Sequence, residues 1–249
     1  MDHPSIISPL IFKSFDRIVA AQSTRFGIYE KGLYPSFNLG ESVGDDAQVV
    51  ELNKTHFCNL LGHKLGQLAK SKQVHGHEVL KVDKPGRYEG YDALMSNVPQ
   101  IILAVTIADC VPILLYCPEK DAIAAIHSGW KGTASNIIEK TVHAMQKAYG
   151  VSPKNIHAFI GACISHKNYE VGFEVASHFD QNFYSPSQNS EKFLLDLKGI
   201  CRNQLINLGV YSHQIEVSEY CTVDNNELFY SHRFEKGNTG RMLAAIVLK

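Results

Sequence analysis

Very little in this sequence would direct it to a membrane, a nucleic acid or an oxidising compartment. Its 249 residues carry 24 Lys and Arg against 25 Asp and Glu, a formal net charge of −1, with no run of Lys or Arg longer than two. The electrostatic footprint of a nucleic-acid or membrane-surface binder is therefore missing, and a small molecule is the expected partner. The opening residues Met1-Asp2-His3-Pro4-Ser5 lack a basic stretch followed by a long apolar run, so no secretory leader is expected and the cytoplasm is the expected location. Six cysteines, Cys58, Cys110, Cys117, Cys163, Cys201 and Cys221, include no C-x-x-C pair, which argues for free thiols rather than a disulfide framework. No internal repeat, low-complexity tract or linker rich in Pro, Gly or Ser divides the chain, so one domain over 1–249 is expected.

What the sequence does hold is concentrated between residues 104 and 134. Three short apolar runs, 101–106, 111–117 and 122–126, read as strands covered on both faces, separated by Asp109 and by Pro118-Glu119-Lys120. Against that apolar background polar chemistry stands out. Cys110 falls after the first run and His127 after the third, and the single Trp, Trp130, lies between Gly129 and Gly132.

Around this centre the remaining signals alternate irregularly. A strand at 17–24 leads into a long loop, 25–40, ending in Ser36-Phe37-Asn38-Leu39-Gly40, and so long a loop is usually functional. Asp45 or Asp46 can cap a helix carrying Val49, Val50, Phe57, Leu60 and Leu61 and ending at Gly62, with Lys54 in its middle. Strands are expected at 67–74 and 79–82, a helix capped by Thr133 over 134–149, a strand at 156–161 and a short helix at 173–183. An exposed polar stretch at 184–190, a last helix at 195–208 and strands at 215–218 and 242–248 complete the reading. Strict strand–helix alternation is absent, so the expected class is α+β, a single compact domain of mixed sheets flanked by helices.

Two imidazoles and a thiol, His75, His127 and Cys110, each fall at a strand-to-loop junction. They are the donor set of a catalytic zinc site, in which three protein ligands leave a fourth position to water or substrate. Taken alone, His75 also reads as a solvated turn histidine and His127 as a satisfied semi-buried one. Cys110 has a second chemical reading as a thiolate nucleophile with either histidine as base. The segment Gly129-Trp130-Lys131-Gly132-Thr133 leads into a helix and suits an anion such as phosphate, or is simply a helix start with Lys131 in solvent. No G-x-x-x-x-G-K-[ST] loop is present. Lys54, Arg233 and Arg241 can add cationic reach, and Trp130 and Tyr169 can stack on a flat ring. Multicopper oxygen chemistry needs many closely spaced histidines, whereas the only His-x-His pair is His75-Gly76-His77.

These segments form a recognisable series. Gln73-Val74-His75-Gly76, Ala108-Asp109-Cys110-Val111-Pro112, His127-Ser128-Gly129-Trp130-Lys131-Gly132-Thr133, Tyr169-Glu170-Val171-Gly172 and Thr239-Gly240-Arg241-Met242, with Ser36 to Asp46 before them, resemble the successive signatures of a bacterial family. It was first described as polyphenol oxidase or laccase-domain proteins and later as purine nucleoside phosphorylases and adenosine deaminases, with some members described as peptidoglycan editing factors. The resemblance implies a cysteine-hydrolase-like architecture and a zinc, with copper as the alternative, on His75, Cys110 and His127. It further implies phosphorolysis of adenosine, inosine and 5′-methylthioadenosine to base and ribose 1-phosphate, and deamination of adenosine to inosine. Asn38 or Tyr169 would contact base or ribose. The alternatives are an editing amidase that uses Cys110 to remove misincorporated serine from a muramyl-peptide precursor, and copper-dependent phenol oxidation. Lys131 and Lys54 stand where the family usually has Arg, and Phe234 where a second Arg commonly follows the one matching Arg233. Lysine keeps the charge but loses the planar fork that grips phosphate in two places.

Overall fold

Strand periodicity builds the framework. In the computed structural model, which describes residues 3–29, 31–34, 37–189 and 191–249, the apolar runs pair into two six-stranded sheets. The first sheet runs in the order Ile6–Ile7, Ile18–Ser23, Met242–Leu248, Ile102–Ile107, Leu68–Lys72, Gly86–Glu89. The second runs Ile215–Val217, His157–Ile160, Val111–Cys117, Ala122–Ser128, Ala93–Ser96, Val79–Lys81. Both mix parallel and antiparallel pairs. Ser36 of the early motif and Ser190 of the polar stretch lie outside the described residues.

Alternation along each strand divides the core into three layers of side chains. Leu103, Val105, Ala244 and Ile246 of the first sheet pack with Leu114, Tyr116, Ile123 and Ala125 of the second, filling the space between them. The opposite face of the first sheet, Ile102, Ala104, Leu243, Ala245 and Val247, is covered by Phe57, Cys58 and Leu61 at the end of helix Ala47–Leu60, together with Phe37 and Leu39. The opposite face of the second, Ile113, Leu115, Ala124 and Ile126, takes helices Ile137–Tyr149 and Leu197–Asn207. Both faces of the central strands are thus buried, which is why they read as unbroken apolar runs. Truncating one of their side chains, as in Leu114→Ala, would cost about 2–5 kcal/mol. The result is one mixed α/β domain.

Several elements differ from the sequence expectation for local reasons. The helix expected over 134–149 is two helices, Trp130–Ala134 and Ile137–Tyr149, separated by Asn136 at φ 57°. Thr133 is not its cap: its N–H and its hydroxyl both bond the Gly129 carbonyl, so the first turn begins at Gly129. His127 lies inside strand Ala122–Ser128 rather than after it. The expected helix at 173–183 shrinks to Phe173–Ala176 and a 3-10 turn, Gln181–Phe183, whose start is capped by Asp180. The polar stretch after it forms strand Tyr184–Pro186, which pairs with Lys192–Leu195 and, through it, with Glu170–Gly172 in a third sheet. On helix Ala47–Leu60 the expected core residue Leu60 is 39% exposed, while Asn53 is buried and donates to the Asn38 carbonyl. Strand Gly86–Glu89 carries no apolar signal.

The chain passes repeatedly between the two large sheets. Two of its passages from the first sheet to the second lie between Lys72 and Val79 and between Ile107 and Val111, and a third, between Glu89 and Ala93, carries Asp92. The first crossing carries His75 and the second Cys110. His127 is paired with Pro112 in the second sheet, beside the second crossing. Among the described residues no helix is long and apolar enough to cross a membrane.

Candidate active site

The two crossings bring His75, Cys110 and His127 together, with one nitrogen or sulfur atom from each lying within 4.8 Å of the others. Among the described residues this is the only such group of three or more His, Cys, Asp or Glu side chains. The crossings hold their positions through strained backbone: His75 has φ 57° and Asp109 φ 83°, a region non-glycine residues seldom occupy. Hydrogen bonds secure both. Val74 and Gly76 donate their N–H groups to Asp92 Oδ2, and His75 donates its own to Oδ1. Asp109 accepts from the Thr222 hydroxyl and from the Arg233 N–H, while its carbonyl accepts from Ile164.

Asp92 also fixes His127, whose Nδ1 is 2.8 Å from Asp92 Oδ1 with both side chains buried. Pairing Nδ1 with a carboxylate turns Nε2 toward the cluster, the arrangement by which a second residue orients a histidine ligand. Charge follows the same geometry. Burial would raise the Asp92 carboxyl, but the hydrogen bond and charge of His127 and the N–H groups of Gly76 and Val74 hold it below its ordinary value. Burial would lower His127, but the Cys110 thiolate and Asp92 raise it to about 9. Burial would push the Cys110 thiol up, but the charge of His127 and hydrogen bonds with His127 and His75 bring it down to about 6. A thiolate beside two imidazoles, one braced by a carboxylate, fits a divalent metal of the zinc or copper kind. It fits a nucleophile–base–orienter series equally well.

Two glycines leave room for this packing. A Cβ on Gly129 would lie 3.2 Å from Cys110 Sγ and 3.3 Å from His75 Cδ2. One on Gly132 would lie 2.8 Å from the Gly76 carbonyl oxygen. The short helix therefore touches both the cluster and the crossing that carries His75.

The cluster lies in a cleft of about 540 Å³. Of the residues expected from sequence, His75, Cys110, His127, Trp130, Tyr169, Arg233 and Arg241 line it. Arg233 lies over the Tyr169 ring at 5.5 Å and donates to the Glu170 carbonyl, and Arg241 is anchored on the Thr239 and Gly240 carbonyls. Asn38, Lys54 and Lys131 are not among the lining residues. Asn38 is buried, with its amide bonded to Asp45, to Gly40 and to the Arg241 N–H, so it supports the Arg241 backbone from below. Lys54 pairs with Glu41, which does line the cleft. Lys131 is exposed and lies 5.6 Å over the Trp130 ring, outside the cleft. Phe234, where the family commonly has a second arginine, is 52% exposed.

Sequence reading gives no role to Asp92, Gln73, Glu41, Lys70 or Arg87, although Gln73 and Glu41 fall within segments that carry the family resemblance. Asp92 has a weak signal, a lone carboxylate abutting the apolar run Ala93-Leu94-Met95. Gln73 pairs both amide atoms with the Thr106 backbone, replacing a strand partner where Leu68–Lys72 has ended. The other three carry no local signal.

The chain matches the family described as multi-copper polyphenol oxidoreductase laccase over residues 19–249. Purine nucleoside phosphorylase of Deinococcus radiodurans is 38% identical over 230 residues, covering 92% of this chain and 88% of that one. Purine nucleoside phosphorylase YfiH of Escherichia coli (strain K12) is 35% identical over 236 residues, covering 93% and 94%. The crystal structure of YlmD from Geobacillus stearothermophilus superposes with a TM-score of 0.92 at 30% identity, covering 100% of this chain and 98% of that one.

Proposed function

This chain belongs to the multi-copper polyphenol oxidoreductase laccase family, and from that premise and the geometry of the cleft we propose a metal-assisted purine nucleoside phosphorylase. Its substrates are adenosine, inosine and 5′-methylthioadenosine, and it also deaminates adenosine to inosine. The observation that carries this reading is the His75–Cys110–His127 cluster at a cleft lined by cations and aromatic faces, in a chain whose near full-length relatives are named for that reaction.

His75, Cys110 and His127 would hold a metal, zinc or in its place copper, through Nε2 of His127, the thiolate and an imidazole nitrogen of His75. Bound there, the metal would supply Lewis acidity. Asp92 keeps the His127 ring in the tautomer that leaves Nε2 available. Tyr169, kept neutral because burial raises its phenol, and Trp130 offer flat surfaces for the purine. Arg233 and Arg241 add positive charge to the cleft. In phosphorolysis the bond between ribose C1′ and purine nitrogen breaks and a C1′–O bond to phosphate forms. The electron pair leaves on the purine, which takes a proton. In deamination water adds to the ring carbon that bears the amino group, the C–N bond breaks with release of ammonia, and a carbonyl remains. Nucleoside turnover measured with and without phosphate on wild type and His127→Ala tests the assignment. The expected result is loss of both activities in the variant; unchanged turnover there sinks it.

A second reading has its own observation. Cys110 at about 6, beside His127 with Asp92 behind it, has the order of a thiol hydrolase, and an amide such as the misincorporated serine of a muramyl-peptide precursor is its substrate class. Chelation separates the two readings: it abolishes the metal-assisted reactions and spares the thiol hydrolase, whereas alkylation of Cys110 abolishes both.

A further inference from the structure

Part of the cleft lining outside the His/Cys cluster has an unbalanced charge. Glu41 is shared by three cations: Oε1 lies 2.5 Å from Lys54 Nζ, while Oε2 lies 3.4 Å from Lys70 Nζ and 3.3 Å from Arg87 Nη1. Among the described residues no second carboxylate is salt-bridged to any of the three, so one negative charge faces three positive ones. Lys70 is only 8% exposed, and a buried ammonium held by one shared contact at 3.4 Å is under-paired. Burial lowers the Lys70 ammonium and the neighbouring cations lower it further, against the pull of Glu41. Lys70, Arg87 and Glu41 all line the cleft, whereas Lys54 stands behind Glu41.

The division of labour between the two carboxylate oxygens is informative. Oε1 ties Glu41 to the cation outside the cleft, and Oε2 covers the two cations that face into it. The excess of two positive charges matches a phosphate dianion, and Arg87 offers the planar donors suited to it.

We propose that Lys70 and Arg87 form a phosphate-dianion subsite for which Glu41 Oε2 is the internal competitor, displaced when orthophosphate enters while Oε1 stays with Lys54. The binding claim is independent of turnover; its role as the co-substrate site rests on the phosphorylase reading above.

The test is calorimetric titration of the purified holoprotein with orthophosphate at constant ionic strength, without nucleoside, on wild type, Lys70→Met, Arg87→Gln and Glu41→Gln, with unfolding curves on each. Orthophosphate is expected to bind the wild type. Lys70→Met and Arg87→Gln each weaken binding by about tenfold or more, and Glu41→Gln, which removes the competing charge, tightens it by a similar factor. Glu41→Gln keeps the proposal testable if Lys70→Met fails to fold. Unchanged or weaker binding in Glu41→Gln, or unchanged binding in folded Lys70→Met and Arg87→Gln, overturns it. Ribose 5-phosphate is the second probe, and binding of this ester with none of orthophosphate overturns the co-substrate role. If orthophosphate follows the expected order but no nucleoside is cleaved, the subsite stands and the phosphorylase reading fails. If phosphate-dependent cleavage proceeds with the same phosphate KM in all variants, the reading stands and the subsite fails.

Discussion

His127 Nδ1 and Asp92 Oδ1 lie 2.8 Å apart, both side chains sealed from solvent, and the same carboxylate accepts N–H groups from Val74, His75 and Gly76. One buried acid therefore sets the orientation of one candidate ligand and the backbone of another.

Asp92→Asn keeps an acceptor oxygen and the side-chain volume but loses the charge behind His127. Zinc affinity, measured by chelator competition, is expected to fall about 10–100-fold with a folded protein. Asp92→Ala also leaves the three N–H groups without an acceptor, and its unfolding free energy is expected to drop by about 3–5 kcal/mol. Because the folded carboxyl lies below its ordinary 3.8, its contribution to stability is present above that value and lost as pH falls through the lower folded value. Denaturant unfolding at acid pH should show this loss in wild type and not in Asp92→Asn.

Cys110 should be the fast-reacting thiol once metal is stripped. With the group at about 6, its alkylation rate is expected to level off above neutral pH and to fall about tenfold per unit below pH 6. Burial pushes Cys163 and Cys201 up to about 12 and Cys58 to about 11, so these stay unreactive in the folded state. Peptide mapping after a pulse of iodoacetamide checks both, and added zinc should protect Cys110. A rate that does not change with pH, or label spread evenly over the cysteines, contradicts the assignment.

Adding one methyl group should separate site from scaffold. Gly129→Ala presses on Cys110 Sγ and His75 Cδ2, and is expected to reduce metal content and turnover with little loss of stability. Gly132→Ala meets the Gly76 carbonyl, a backbone atom, and is expected to cost about 1–3 kcal/mol in a chemical denaturation curve. Equal effects of the two on metal content would count against this division.

Lys131 is exposed over Trp130 and does not line the cleft. Substituting it with Arg, the residue usual in the family, or with Ala should change the phosphate KM by no more than about twofold, the size of an exposed charge effect. A tenfold gain in Lys131→Arg would return this residue to the phosphate site.

Much of the framework could be read from residue order. The central strands announce themselves because both of their faces are buried, so Ile113 to Leu115 and Ile123 to Ile126 have no polar alternation to obscure them. Asp46 caps its helix as its side chain requires. Less could be read where local chemistry is mixed. Thr133 has the residue type of a cap but bonds the Gly129 carbonyl instead, and Tyr184–Pro186 is polar because it belongs to a small outer sheet with little core to face.

The candidate site divides along the same line. The candidate donors belong to the sequence: two imidazoles and a thiol stand in or beside strands, and residues 73–76, 108–112 and 127–133 carry part of the family pattern. What the tertiary structure alone decides is partnership. Asp92 reaches His75 and His127, and Glu41 gathers Lys54, Lys70 and Arg87, only because the chain crosses repeatedly between the sheets and returns distant segments to one cleft. Charge and hydrogen bonding act over a few ångströms in space, whereas sequence patterning records only neighbours along the chain. Asn38 and Lys54 accordingly have the residue types of substrate contacts, and the fold turns them instead to Arg241 and Glu41.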